Sequence, residues 1–238
     1  MPRQLTLFRP RTDASFANFV VAEANAVTVH ALRDWLEQGG GGIFCLFGAA
    51  DSGRSHLLQA ACRERVAIYL PLSELIHHEA AAVCEGLEQA ALVCLDDIDA
   101  VLGDPVWCEQ LFHLCNRLLG QQHKLLFSAR GAAASLPCTL PDLLSRLGWG
   151  GSFRLQPLDD QGAAEALKIR ARERGFDLDD DVVAYILGRS QRGMQALLSL
   201  LHALDVHSLA EHKRITIPFV RRFLGQANDS GEELWRMR

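Results

Sequence analysis

The chain has 238 residues, 49% of them hydrophobic and 22% charged, with a formal net charge of −5. That is enough to bury one core, or one core and a small packed lid, and the composition excludes disorder. Apolar runs such as residues 43–47 and 90–95 fall far short of the roughly 20 residues a bilayer requires. The acidic balance argues against holding DNA by broad phosphate neutralisation. Met1-Pro2-Arg3-Gln4 does not open a secretory signal, so the expected location is cytoplasmic, with no membrane partner.

Residues 1–12 are expected to form an extended arm around one apolar cluster, Leu5, Leu7 and Phe8, flanked by Pro2 and Pro10. Val27, Val29, Leu32, Trp35 and Leu36 predict an amphipathic helix over 25–37, which the glycines at 39–42 break. Strands and helices then alternate. Strands are predicted at 43–47, 66–70, 92–95, 124–128 and 152–155, and helices at 55–65, 73–86, 105–119 and 141–147. Such alternation builds a parallel sheet covered on both faces. After Pro157 only helices are predicted, at 159–175, 179–188, 193–206 and 217–224. Asp159 and Asp179 serve as starts, Gly175 and Gly188 as stops. The expected organisation is an arm over 1–12, an α/β domain over 13–156, a small all-α lid over 157–226 and a polar tail over 227–238.

The seven cysteines include no CxxC pair and most lie in apolar runs, so reduced core thiols are expected rather than disulfides or a zinc site. Cys108 and Cys115, seven apart in one helix, share a face. His77 with His78, and His207 with His212, lack metal-site spacing. Lys213, Arg214, Arg221 and Arg222 read as a solvated helical surface, with a local basic patch as the alternative.

Chemistry concentrates at two strand ends. Gly48-Ala-Ala-Asp-Ser52-Gly53-Arg54-Ser55 follows the first strand and opens a helix. It is a GxxxxGK[ST] phosphate loop with arginine in place of lysine, and the alternative is a plain glycine turn. Glycines let backbone N–H groups converge on phosphate oxygens, the helix dipole favours the anion, and Ser55 is placed to ligate Mg²⁺. Arg54 keeps the positive charge in a planar, bulkier form. Residues 91–95 then form an apolar strand ending in Asp96 and Asp97. Set beside the first strand, it would bring Asp96 toward Ser55 and the metal, with Asp97 orienting or deprotonating an attacking water. Ser128 ends the next strand, where a polar group would point toward a γ-phosphate. Arg146 sits at the far edge of the α/β domain. Its ordinary role would be a surface ion pair, but there it can reach a neighbour's phosphates and stabilise transition-state charge.

Taken in order, these motifs resemble the AAA+ initiator clade, and within it the DnaA-related regulators that inactivate the replication initiator DnaA. Gly53-Arg54-Ser55-His56-Leu-Leu is similar to an arginine-bearing phosphate loop of that clade, which places His56 with the nucleotide ligands. Phe16-Ala-Asn-Phe19 and Asn25 resemble the segment bordering the adenine. Leu140-Pro-Asp-Leu-Leu-Ser-Arg146-Leu-Gly-Trp-Gly resembles the arginine-finger box, and Leu155-Gln-Pro-Leu-Asp159 the start of the helical lid. Gln4-Leu5-Thr6-Leu7-Phe8 is similar to the pentapeptide that docks on the DNA sliding clamp; Leu7 and Phe8 would fill an apolar pocket while Gln4 fixes orientation. One departure stands out: Gln195 occupies the position of a lid arginine, with Arg192 one turn earlier either as its substitute or as an outward surface arginine.

The resemblance implies an AAA+ fold, ADP or ATP with Mg²⁺ as cofactors, and weak or no ATPase activity of the chain's own. It implies two protein partners, DnaA and the sliding clamp, with DNA reached through the clamp, and it leaves room for a homodimer. The sequence running only a little past Leu224 leaves no space for a helix-turn-helix module, which points to regulation rather than origin binding. The implied activity is stimulation of ATP hydrolysis by DnaA through Arg146 acting in trans. Two rival readings are a self-sufficient ATPase that uses Asp97 on its own ATP and a DNA-bound adaptor that recruits the initiator.

Overall fold

The structure is a computed structural model, and it describes residues 13–63, 67–189 and 193–229. The chain divides between Pro157 and Leu158 into two compact units, where strand–helix alternation gives way to helices alone.

In the first unit, α1 (Ala26–Glu37) leads into β1 (Gly42–Gly48), α2 (Arg54–Arg63), β2 (Ala67–Pro71), α3 (Leu72–Leu75), α4 (Ala80–Cys84) and β3 (Leu92–Asp96). Next come α5 (Pro105–Gly120), β4 (Lys124–Ala129), α6 (Pro141–Leu147) and β5 (Gly151–Leu155). All pairings are parallel and the strand order is β2-β3-β4-β1-β5. The inner strands are mostly apolar because helices cover both faces, whereas the edge strand β5 carries exposed Ser152 and Arg154, and the period of two sorts the side chains. Ile43, Cys45, Val93, Leu95, Leu125 and Phe127 face α5 and α6 in one core. Phe44, Leu46, Leu92, Cys94 and Leu126 face α1 and α2 in the other. Leu57 and Leu58 on α2 are fully buried, each contributing about 1.5–3 kcal/mol by area.

Three expectations change. The third strand does not lie beside the first: β4 runs between them, since a right-handed crossover need not join sequence neighbours. The helix expected over 73–86 is two short pieces. Leu72 and Leu75 enter the core from α3 and Ala80, Val83 and Cys84 from α4. In one continuous helix Leu75 and Ala80 would point about 140° apart, so the chain breaks at His77-His78. Val27, expected on the buried face of α1, is exposed, while Val29, Leu32 and Leu36 are buried. Lys124, itself buried, closes the C-terminus of α1 by donating to the carbonyls of Trp35, Leu36 and Gln38.

The second unit contains α7 (Asp160–Glu173), α8 (Asp180–Arg189), α9 (Met194–Glu211) and α10 (Ile217–Asp229). Its core holds Leu167, Val183, Ile186, Leu200, Leu204 and Val220. Asp159 caps α7 by accepting from the Gly162 amide at 2.8 Å, and Gly175 ends it at φ +87°. α8 runs through Gly188 rather than stopping there, and α9 continues past Val206 until His212 turns left-handed. All seven cysteines are free thiols, with Cys108 and Cys115 buried on one side of α5. No helix among the described residues is long and apolar enough to cross a membrane.

Candidate phosphate-binding site

The loop after β1 has a shape that only glycine permits at two points. A Cβ on Gly48 would lie 2.3 Å from the Leu155 carbonyl oxygen, and one on Gly53 would lie 2.7 Å from the Phe19 ring. Gly53 also adopts φ +91°. α2 starts at the next residue, so its first-turn amides have no partner within the helix and the positive end of its dipole meets the loop. Two side-chain donors there are buried and without a hydrogen-bond partner, Ser52 Oγ and Arg54 Nη1. A buried unpaired donor costs about 1–3 kcal/mol. Amides, a hydroxyl and a guanidinium together form the donor set of an oxyanion site, and phosphate oxygens would satisfy them.

The acids lie two strands away. Asp96, at the end of β3, is buried and accepts from the Tyr69 hydroxyl at 2.6 Å and from the Ser128 hydroxyl. Gln59 supports this arrangement by donating to Tyr69 Oη at 3.1 Å. Burial, then the Asp96 charge, push the Tyr69 phenol well above its ordinary value, so it stays a donor. Asp97 turns left-handed, at φ 52° and ψ 52°, a conformation that costs a non-glycine residue about 1–3 kcal/mol. Its amide donates to Ser128 Oγ at 2.8 Å. Its carboxylate pairs with Arg54, Oδ1 to Nη2 at 3.2 Å. Burial, then Asp96, raise the Asp97 pKa against the pull of Arg54.

Ser128 lies at the end of β4, the strand between the loop after β1 and the acids after β3. It is fully buried, and its hydroxyl donates to Asp96 and accepts from the Asp97 amide, so it positions both acids. Ser55, in the first turn of α2, is half-buried. A hydroxyl with Asp96 suits a hard cation that keeps most of its waters. Among the described residues no three His, Cys, Asp or Glu side chains gather as a metal cluster.

His56 faces the segment before α1: its Nε2 lies 2.9 Å from the Ser15 carbonyl oxygen and its ring 5.3 Å from that of Phe19. Asn25 is buried and exchanges two 2.8 Å hydrogen bonds with the backbone of Gln156. Both tie the N-terminal segment of this unit to the loop and to β5.

Arg146 lies elsewhere. It closes α6, whose Leu143 and Leu147 are fully buried, and its guanidinium lies 4.0 Å over the Trp149 ring. Gly150 fits so closely that a Cβ would lie 1.9 Å from the Ile43 carbonyl oxygen. This pins the Arg146 turn near the start of β1, whereas the phosphate loop begins at its end, about 17 Å along the strand at 3.3 Å per residue. Arg146 therefore stands at the opposite end of the sheet from its own loop, and no carboxylate among the described residues is within salt-bridge distance.

In the second unit Gln195 lies in the first turn of α9. Arg192, and the arm residues Gln4, Leu5, Leu7 and Phe8, lie outside the described residues. The basic cluster near the C-terminus is partly neutralised, because Glu211 accepts from both Lys213 at 2.8 Å and Arg222 at 2.6 Å. Sequence reasoning missed Tyr69, whose signal was a hydroxyl in the middle of an otherwise apolar strand, and the Asp99–Arg130 pair at 3.5 Å, which has no motif.

This arrangement, a five-stranded parallel sheet with a glycine loop after β1, acids after β3 and a separate helical unit, is the AAA+ fold. Residues 160–224 match the family described as Hda, lid domain. Among solved structures, domain III of the Thermotoga maritima replication initiation protein DnaA is 19% identical, with TM-score 0.76, over 91% of this chain and 97% of that one. AMPPCP-bound DnaA from Aquifex aeolicus is 20% identical, with TM-score 0.67, over 83% of this chain and 67% of that one. A point variant of Thermotoga maritima RuvB is 17% identical, with TM-score 0.67, over 92% of this chain and 73% of that one. The helical unit thus matches the Hda lid domain family over residues 160–224, and the chain shares its fold with domain III of DnaA.

Proposed function

We propose that the chain binds an adenine nucleotide as a conformational ligand and acts on a DnaA-type initiator, promoting hydrolysis of the initiator's ATP by supplying Arg146 in trans. The observation that carries this reading is the position of Arg146: it stands at the end of the sheet opposite its own loop, uncompensated by any acid among the described residues, which supports a role toward a phosphate held by another molecule. An arginine supplied in trans contributes about 10³–10⁵ to phosphoryl transfer. The Aquifex aeolicus DnaA structure carries AMPPCP, and the donors of Ser52, Arg54 and the α2 amides suit the same phosphate chemistry here. Mg²⁺ would be held by Ser55 and Asp96. Gln4, Leu5, Leu7 and Phe8 are the proposed tether to a sliding clamp, which raises the effective concentration near DNA.

The test measures ATP hydrolysis by DnaA with and without this protein and DNA-loaded clamp. Stimulation is expected with wild type and is lost in Arg146→Ala, which keeps its own nucleotide; stimulation that persists in the variant refutes the trans arginine. Steady turnover by the isolated protein would favour a self-sufficient ATPase. The ion pair between Arg54 and Asp97 weighs against that alternative, because it occupies the carboxylate expected to activate water.

A further inference from the structure

Resting on that reading, we infer that Trp149 is a positioning residue for Arg146, holding its guanidinium extended and fully charged for a partner's phosphate. Trp149 is 68% exposed, an unfavourable place for a large indole in a surface turn. The turn beneath it is rigid. The Gly148 amide donates to the Leu144 carbonyl at 3.0 Å and the Trp149 amide to the Arg146 carbonyl at 3.1 Å. Leu147 is fully buried on one side, and Gly150 is wedged against Ile43 on the other. The ring thus stands as a fixed shelf with the Arg146 guanidinium 4.0 Å above it.

A π face does what a carboxylate cannot. A carboxylate would also restrict the long side chain, but it would cancel the charge and engage the N–H groups that must reach phosphate. An aromatic face restrains the side chain, leaves the charge intact and leaves the edge of the guanidinium free to donate. Arg54 shows the other arrangement in the same molecule: it is buried, and Asp97 neutralises it at 3.2 Å. The two arginines are therefore built for different tasks, one closed onto an internal acid and one displayed.

The experiment compares Trp149→Ala, Trp149→Phe and Trp149→Leu for stimulation of DnaA hydrolysis over a range of initiator concentrations. The expected result for Ala is a maximal stimulated rate about two- to five-fold lower, the size of an exposed cation–π contact, at an unchanged half-saturating concentration. Phe restores the rate and Leu, apolar but without a π face, does not. A maximal rate equal to wild type in the Ala variant overturns the inference. So does a change confined to the half-saturating concentration, which would make Trp149 a partner contact instead. NMR of the isolated protein provides a readout independent of the initiator: the Arg146 Hε resonance is ring-current shifted in wild type and returns to the free arginine position in Trp149→Leu. Absence of that shift in wild type also overturns the inference. Arg146→Ala separates the two levels: stimulation surviving it refutes the trans arginine itself, whereas its loss alongside a normal Trp149→Ala rate refutes only the role of the tryptophan.

Discussion

Arg54 Nη2 and Asp97 Oδ1 lie 3.2 Å apart, joining the first residue of α2 to the residue after β3 across the intervening β4. The pair places the cation of the phosphate loop against an acid of the same chain, so an incoming phosphate must compete with Asp97 for Arg54. Arg54→Ala should weaken nucleotide binding about 10–100-fold, the range of a charge-assisted hydrogen bond, and Asp97→Ala should strengthen it. Titration with a fluorescent adenine nucleotide measures both; weakening of comparable size in Asp97→Ala would mean that Asp97 holds the ligand rather than opposing it.

Asp97 also confers a pH dependence. Its pKa is raised above 3.8 by burial and by Asp96. A carboxyl raised on folding stabilises the protein fully below its unfolded value, and that contribution is lost as pH rises through the folded value. At neutral pH the ionised side chain therefore opposes folding. Asp97→Asn should melt at a higher temperature than wild type at about pH 7, with the difference shrinking as pH falls toward about 4. Thermal melts across this window check the sign, and a lower melting temperature at neutral pH would show that attraction to Arg54 dominates.

Ser128 joins the two acids. Replacing it with Ala removes the hydroxyl donated to Asp96 and the acceptor of the Asp97 amide, leaving buried groups unpaired at a cost of about 1–3 kcal/mol. Urea unfolding should show a midpoint lowered accordingly with an unchanged slope. A variant as stable as wild type would mean that water or a neighbouring group replaces the hydroxyl.

Gly53 combines φ +91° with a Phe19 ring where a Cβ would go. Gly53→Ala should abolish nucleotide binding at concentrations that saturate wild type and lower stability by about 1–2 kcal/mol from the backbone alone. Adding Phe19→Ala should remove the clash and leave the backbone term. Melts of the single and double variants separate the two.

Much of the fold was legible because it is written in local patterns. Residues 43–47 are an unbroken apolar run, the local mark of a strand buried on both faces: Ile43 and Cys45 face one core while Phe44 and Leu46 face the other. Helix signals over 105–119 and 141–147 matched α5 and α6, since Pro105 and Pro141 mark first turns. The single helix expected over 73–86 failed because its apolar positions slip phase at His77-His78. At the site, Gly48, Gly53, Arg54, Asp96 and Asp97 announced themselves by residue type at strand ends. Ser128 was visible as a strand-end residue, while its hydrogen bonds to Asp96 and Asp97 depend on the packing of β3 beside β4.

The sequence alone determined where the strands and most of the helices lie, that one loop must turn on glycine, and that charged groups cluster where strands end. These are properties of a few neighbouring residues, set by backbone geometry and side-chain period. Only the tertiary structure decided that β4 separates β1 from β3, that Arg54 closes onto Asp97, and that Arg146 stands on Trp149 at the far end of the sheet from its own loop. Strand order and the meeting of charges are through-space relations between segments tens of residues apart, and they follow from how the whole sheet packs rather than from any local run of residues.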